Sequence, residues 1–176
     1  GSFSGGAFSF NANTPEVYIQ DTDLITALNS GSVTINAENI SNNIPTNGVL
    51  NGNSIYVGTL TGGTIAWPTI VGNPNSILTL IAGNDIHVEG TLSNQGTLAG
   101  GGIVFNAGRD VSLGTGSLAG INSALTTTAA ANPITVITGR DLNLLGSCST
   151  AATVIAQIST SAGGTVTGTV GRDLNL

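Results

Sequence analysis

The chain has 176 residues, nine acidic and three basic side chains, no lysine, no methionine and one cysteine. A net charge of −6 excludes the basic footprint with which proteins hold nucleic acid or anionic membrane surfaces. No apolar run approaches the roughly 20 residues of a membrane-spanning helix, and a lone Cys148 supports neither an intramolecular disulfide framework nor a thiolate zinc site.

Glycine is abundant and the apolar residues are mostly small or β-branched, while Asn, Ser and Thr supply the polar surface. This composition favours strands and turns over helices. Residues 1–30 form an N-terminal strand and capping region, in which Phe8 and Phe10 share one strand face and Val17–Leu24 is a degenerate repeat copy. No secretory leader is visible at the start, which predicts a processed or excised segment.

From residue 31 to 176 the chain repeats itself. NGNSIYV (51–57), AGNDIHV (82–88), AGRDVSL (107–113), TGRDLNL (138–144) and VGRDLNL (170–176) share one pattern, and AENIS (37–41) follows it loosely. Each pattern is a tight turn built on Gly52, Gly83, Gly108, Gly139 or Gly171, followed by an alternating strand. Glycine is expected there because it takes positive φ without steric cost. The Asp of each turn is expected to close it by accepting backbone N–H bonds.

A second strand precedes each turn: VTINA (33–37), LTLIA (78–82), IVFNA (103–107), ITVIT (134–138) and VTGTV (166–170). The Gly/Ser/Thr-rich return, such as EGTLSNQGTLAGGG (89–102), has room for a third short strand. A strand–turn–strand unit recurring every 20–32 residues or so implies a solenoid. Without intervening helices, the predicted fold is all-β, a right-handed parallel β-helix of about six to seven coils, with rungs about 4.8 Å apart. An antiparallel β-sandwich is the competing fold, but it gives no reason for equivalent turns to repeat the same residues. Ending on a complete strand with no polar cap predicts a fragment of a longer rod.

LTLIAGNDIHVEG, IVFNAGRDVSLGTGSL and ITVITGRDLNLLGS resemble the haemagglutinin-type repeats of filamentous haemagglutinin and other two-partner-secreted exoproteins. NPNSI (73–77) is similar to an Asn-Pro-Asn motif of that family's secretion domain. Gly5-Gly6-Ala7 followed by FSFN (8–11) resembles repeats of autotransporter passengers, particularly chlamydial polymorphic outer-membrane proteins. Both resemblances imply a β-helical rod exported to a bacterial surface, extracellular or outer-membrane associated, and commonly adhesive.

Arg109, Arg140 and Arg172 fall in one column beside Asp85, Asp110, Asp141 and Asp173. The expected role is structural, with the Arg side chains offsetting the Asp column. Gly-Arg-Asp is not Arg-Gly-Asp, so integrin recognition does not follow. Calcium is disfavoured because the Arg repels a cation and the dense Gly/Asp nonapeptide of calcium-binding rolls is absent; no metal or cofactor is expected.

Tyr56 and His87 occupy the same outward position in adjacent copies, followed by Ser112, Asn143 and Asn175, and Trp67 lies near in sequence. Tyr56, Trp67 and His87 are therefore the candidate ligand contacts, since sugars stack on aromatic and polar strips. The competing reading is cross-strand packing for Tyr56 and loop pinning for Trp67 and Pro68. Polysaccharide-acting β-helices need a base or paired carboxylates. This chain has one His, and no pair stands out among Glu16, Asp21, Asp23, Glu38 and Glu89. The expectation is a non-enzymatic adhesin segment that binds a host or neighbouring-cell glycan or protein. The alternative is a rigid spacer or fibre segment that self-associates along the rod. No nucleic acid partner and no direct membrane insertion are expected.

Overall fold

The computed structural model describes residues 8–11, 16–37, 54–58, 63–67, 76–97, 99–114, 123–128, 132–145, 148–149, 152–153, 156–161 and 163–176. Gly52, Phe3, Pro68, most of AENIS, and the Gly-Gly-Ala string lie outside them. The chain begins with β1 (Phe8–Asn11), β2 (Glu16–Gln20) and α1 (Asp21–Ser30). It continues through β3 (Val33–Ala37), β4 (Ser54–Gly58) and β5 (Thr64–Trp67), then β6 (Ile77–Ala82), β7 (Ile86–Glu89) and β8 (Thr91–Asn94). Next come β9 (Gly102–Ala107), β10 (Val111–Leu113) and β11 (Ser123–Thr127), then β12 (Ile134–Thr138) and β13 (Leu142–Leu144). A small excursion forms β14 (Cys148–Ser149) and β15 (Ala152–Thr153), before β16 (Ala156–Thr160), β17 (Val166–Val170) and β18 (Leu174–Asn175).

These strands make three parallel sheets visited in turn. The first is ordered β1-β3-β6-β9-β12-β17, the second β2-β4-β7-β10-β13-β18 and the third β5-β8-β11-β16. Only the β14–β15 pair is antiparallel among the described strands. The molecule is all-β and solenoid-like, with one short helix.

Period-two alternation and parallel registry together build the core. Ile35, Leu80, Phe105 and Val136 are partners across the first sheet. Ile55, Ile86, Val111 and Leu142 are partners across the second, and Ile65, Leu92 and Leu125 across the third. All of these are buried, each contributing about 1.5–3 kcal/mol relative to exposure. Outward positions between them stay polar or half-exposed.

Two expectations need correction. Val17 and Ile19 pair with Ile55 and Val57, but from Asp21 the chain is helical, so the degenerate copy stops short of Leu24. Helix α1 buries Leu24, Ala27 and Leu28, an i, i+3, i+4 face, and packs beside β5. Acidic Asp23 sits in its first turn, where it complements the helix dipole, and Gly31 follows its last residue.

The described turn glycines, second, are not there for positive φ. Left-handed glycines among the described residues include Gly90, Gly100, Gly114 and Gly163, but none of the repeat-turn positions. A Cβ on Gly108 would overlap the carbonyl oxygen of Gly83. One on Gly139 would overlap that of Gly108, and one on Gly171 that of Gly139. Glycine recurs because consecutive turns stack backbone on backbone.

Candidate functional site

The turn between the first and second sheets carries a ladder of forked ion pairs. Arg109 Nε donates to Asp85 Oδ1 at 2.7 Å, and its Nη2 donates to Oδ2. Arg140 repeats this on Asp110, with Nε to Oδ1 at 2.9 Å, and Arg172 on Asp141 at 2.9 Å. Each guanidinium thus reaches the carboxylate of the preceding turn, a bidentate geometry that Arg's planar fork suits. The Asp carboxylates, expected to close their own turns, accept backbone N–H groups of the following turn. Asp85 Oδ1 accepts the Asp110 N–H at 3.2 Å, and Asp110 Oδ1 accepts that of Asp141 at 3.1 Å.

Hydrogen bonding from the Arg172 guanidinium holds the Asp141 carboxyl below the ordinary carboxylate range. The reciprocal bonds from Asp85, Asp110 and Asp141 raise Arg109, Arg140 and Arg172. Asp173 lies beside Arg172 at 3.1 Å. Among the described residues, no group of three or more His, Cys, Asp or Glu side chains gathers to hold a metal.

Beside this ladder runs the outward column of the second sheet, in which Tyr56, His87, Ser112, Asn143 and Asn175 are successive register partners. The rings of Tyr56 and His87 stack, with centroids 5.2 Å apart and planes inclined by 12°. The Tyr56 hydroxyl donates to Glu89 Oε2, and Glu89 Oε1 lies 3.6 Å from His87 Nε2. That nitrogen is buried and makes no hydrogen bond among the described residues. Further along, Asn143 Nδ2 donates to Ser112 Oγ at 3.2 Å and Asn175 Nδ2 to Asn143 Oδ1 at 2.7 Å.

Between ladder and column lies an open groove of about 320 Å³. Ser54, Asp85 and Asp110 line one side, and Tyr56, His87 and Ser112 the other. Ile55 and Ile86 lie between the two sides; their side chains are in the core, so the floor is backbone. Glu89 is the residue that sequence reasoning did not connect with this face. The alternation of Ile86-His87-Val88-Glu89 was its signal, since residues two apart on a strand share a face.

Trp67 does not belong to this surface. It is fully buried, lies on β5 of the third sheet, and its Nε1–H donates to the Ser76 carbonyl at 3.0 Å. The same carbonyl accepts from Asn94 Nδ2 at 3.0 Å, and Ser76 Oγ donates to the Leu28 carbonyl at 2.6 Å. Trp67 is therefore a core residue tied to a buried polar cluster under α1. The inward alternation of Ile65 and Trp67 places it there.

Compared with known protein families, curated proteins and solved structures, the chain matches none.

Proposed function

We propose that this chain is a non-enzymatic, surface-exposed or secreted bacterial adhesin segment, built as a right-handed parallel β-helix of six to seven coils. Its contact with a host or neighbouring cell is made through the second sheet's outer wall. The observation that carries this reading is the groove bounded by Tyr56 and His87, where aromatic and polar side chains converge on an open concavity. The haemagglutinin-like repeats support the same setting.

A test is saturable binding of the purified chain to bacterial and epithelial cells, beside a Tyr56→Ala/His87→Ala variant. Trp67 stays unchanged, because its loss would damage the core. Binding that disappears in the variant, at unchanged thermal stability, is the expected result. Equal binding by both proteins would remove this wall from the adhesive reading.

A rigid spacer is the second reading. It is favoured by the forked Arg–Asp pairs and the backbone-on-backbone glycine turns, which fix each turn upon the last. Absence of binding to any cell by either protein would put it ahead.

A further inference from the structure

We infer that the groove between the Asp ladder and the Tyr56–His87 column takes an uncharged, hydroxyl-rich saccharide and discriminates against anionic ones; the inference rests on the adhesive reading above. The groove presents carboxylates, hydroxyls and an imidazole, and each restricts what can sit there. Asp85 and Asp110 keep side-chain exposures of 25% and 14% and accept hydrogen bonds, so a ligand facing them must donate. Ser54 Oγ already accepts the Asp85 N–H at 3.3 Å, and Ser112 Oγ accepts from Asn143. Each serine keeps its O–H and a second lone pair, which suits a ligand that both accepts and donates. Sugar hydroxyls do both.

Charge separates the saccharide classes. A sialylated or sulfated sugar would bring its anion beside Asp85 and Asp110, in a groove whose lining holds no Arg or Lys. Arg109 and Arg140 are already forked onto those same two aspartates, so each pair is close to neutral and neither guanidinium is free to replace the water that the anion gives up. An ammonium ligand would have to displace these guanidinium groups to pair with the carboxylates. A neutral polyol meets neither obstacle.

Shape agrees with this chemistry. The lining residues come from three successive turns, so the groove follows the direction in which the strands stack and spans two rung intervals, about 10 Å. The step from the His87 ring down to the small Ser112 side chain, its register partner, opens the groove on the side of His87 away from Tyr56. A short linear saccharide lies along this path.

The experiment titrates the full chain with a panel of neutral oligosaccharides (lactose, N-acetyllactosamine, mannobiose) and with sialyllactose and sulfated lactose, in parallel with the cell-binding assay. The expected result is saturable binding to at least one neutral member, with its anionic counterpart weaker by about tenfold or more. Ser112→Gln, which fills the step, and His87→Ala should each weaken binding by a similar factor. Thr135→Ala, on the first sheet, should leave it unchanged. Equal or tighter binding of the anionic sugars, or neutral binding that survives Ser112→Gln, overturns the inference. Cell binding without any saccharide binding sinks the inference and leaves adhesion standing, whereas loss of both sinks both.

Discussion

A methyl group added at Gly139 meets the carbonyl of Gly108, and neither turn can retreat without disturbing the forked pair beside it. Gly139→Ala should therefore cost about 1–3 kcal/mol, the range for forced overpacking, seen as a lower urea midpoint. Gly168 has open space where its Cβ would stand, so Gly168→Ala should change stability by no more than about 0.5 kcal/mol. Trp67 gives a graded pair. Trp67→Phe loses part of the ring volume and the Nε1–H but leaves the Ser76 carbonyl its bond from Asn94, so its cost should be about 1–3 kcal/mol. Trp67→Ala should cost about 3–5 kcal/mol. As the sole tryptophan, its fluorescence should be blue-shifted in the native state and move to longer wavelength on unfolding. Asp141 sets a pH dependence. Its carboxyl is held below the ordinary value by Arg172, so as pH falls the unfolded chain binds the proton first. The pair's contribution is complete above the unfolded value of about 3.9 and declines as pH drops through the lower native one. Urea midpoints measured from pH 6 downward should fall more steeply for the native chain than for Asp141→Asn.

At the scale of elements, α1 covers what would otherwise be the free side of β5, the first strand of the third sheet. Leu28 is its fully buried contact. Leu28→Ala should cost about 2–5 kcal/mol and loosen that cover, and an uncovered strand edge pairs with other chains. Light scattering should show stronger concentration-dependent association in this variant than in the native chain. The helix was hard to see in the sequence because Asp, Thr, Asn and Ser are indifferent helix formers, and they outnumber the three residues that anchor it. Its spacing of Leu24, Ala27 and Leu28 was the available sign. The strands were far more legible, because a stacked backbone demands the same glycine at each turn and a parallel register demands the same apolar positions after it. The candidate site was legible in part. Tyr56 and His87 could be aligned from the repeat, but nothing local distinguishes a strand tryptophan that faces the core from one in a loop when proline follows it directly.

Among the described strands, charge is gathered on the second sheet and the turn before it. The first sheet turns outward Thr34, Thr79, Val104 and Thr135 in one column and Ile81, Asn106 and Ile137 in the next. The third shows Thr64, Thr91 and Thr126 among its outward positions. The ladder, His87 and Glu89 stand on or beside the second sheet alone. The stacked turns also make successive units interchangeable. The face that one Gly-Arg-Asp turn offers to the next is the same face it meets below, so length is free to change by whole modules without redesigning any contact. Removing residues 108–138 would join Ala107 directly to Gly139, bring Arg140 over Asp85, and set β13 upon β7 and β17 upon β9. Such a shortened chain should remain folded and monomeric, with a circular dichroism spectrum of the same form and a proportionately lower urea dependence. Chains of this design lengthen or shorten by copying and excision, and their reach is set by the count of modules, not by the invention of new parts.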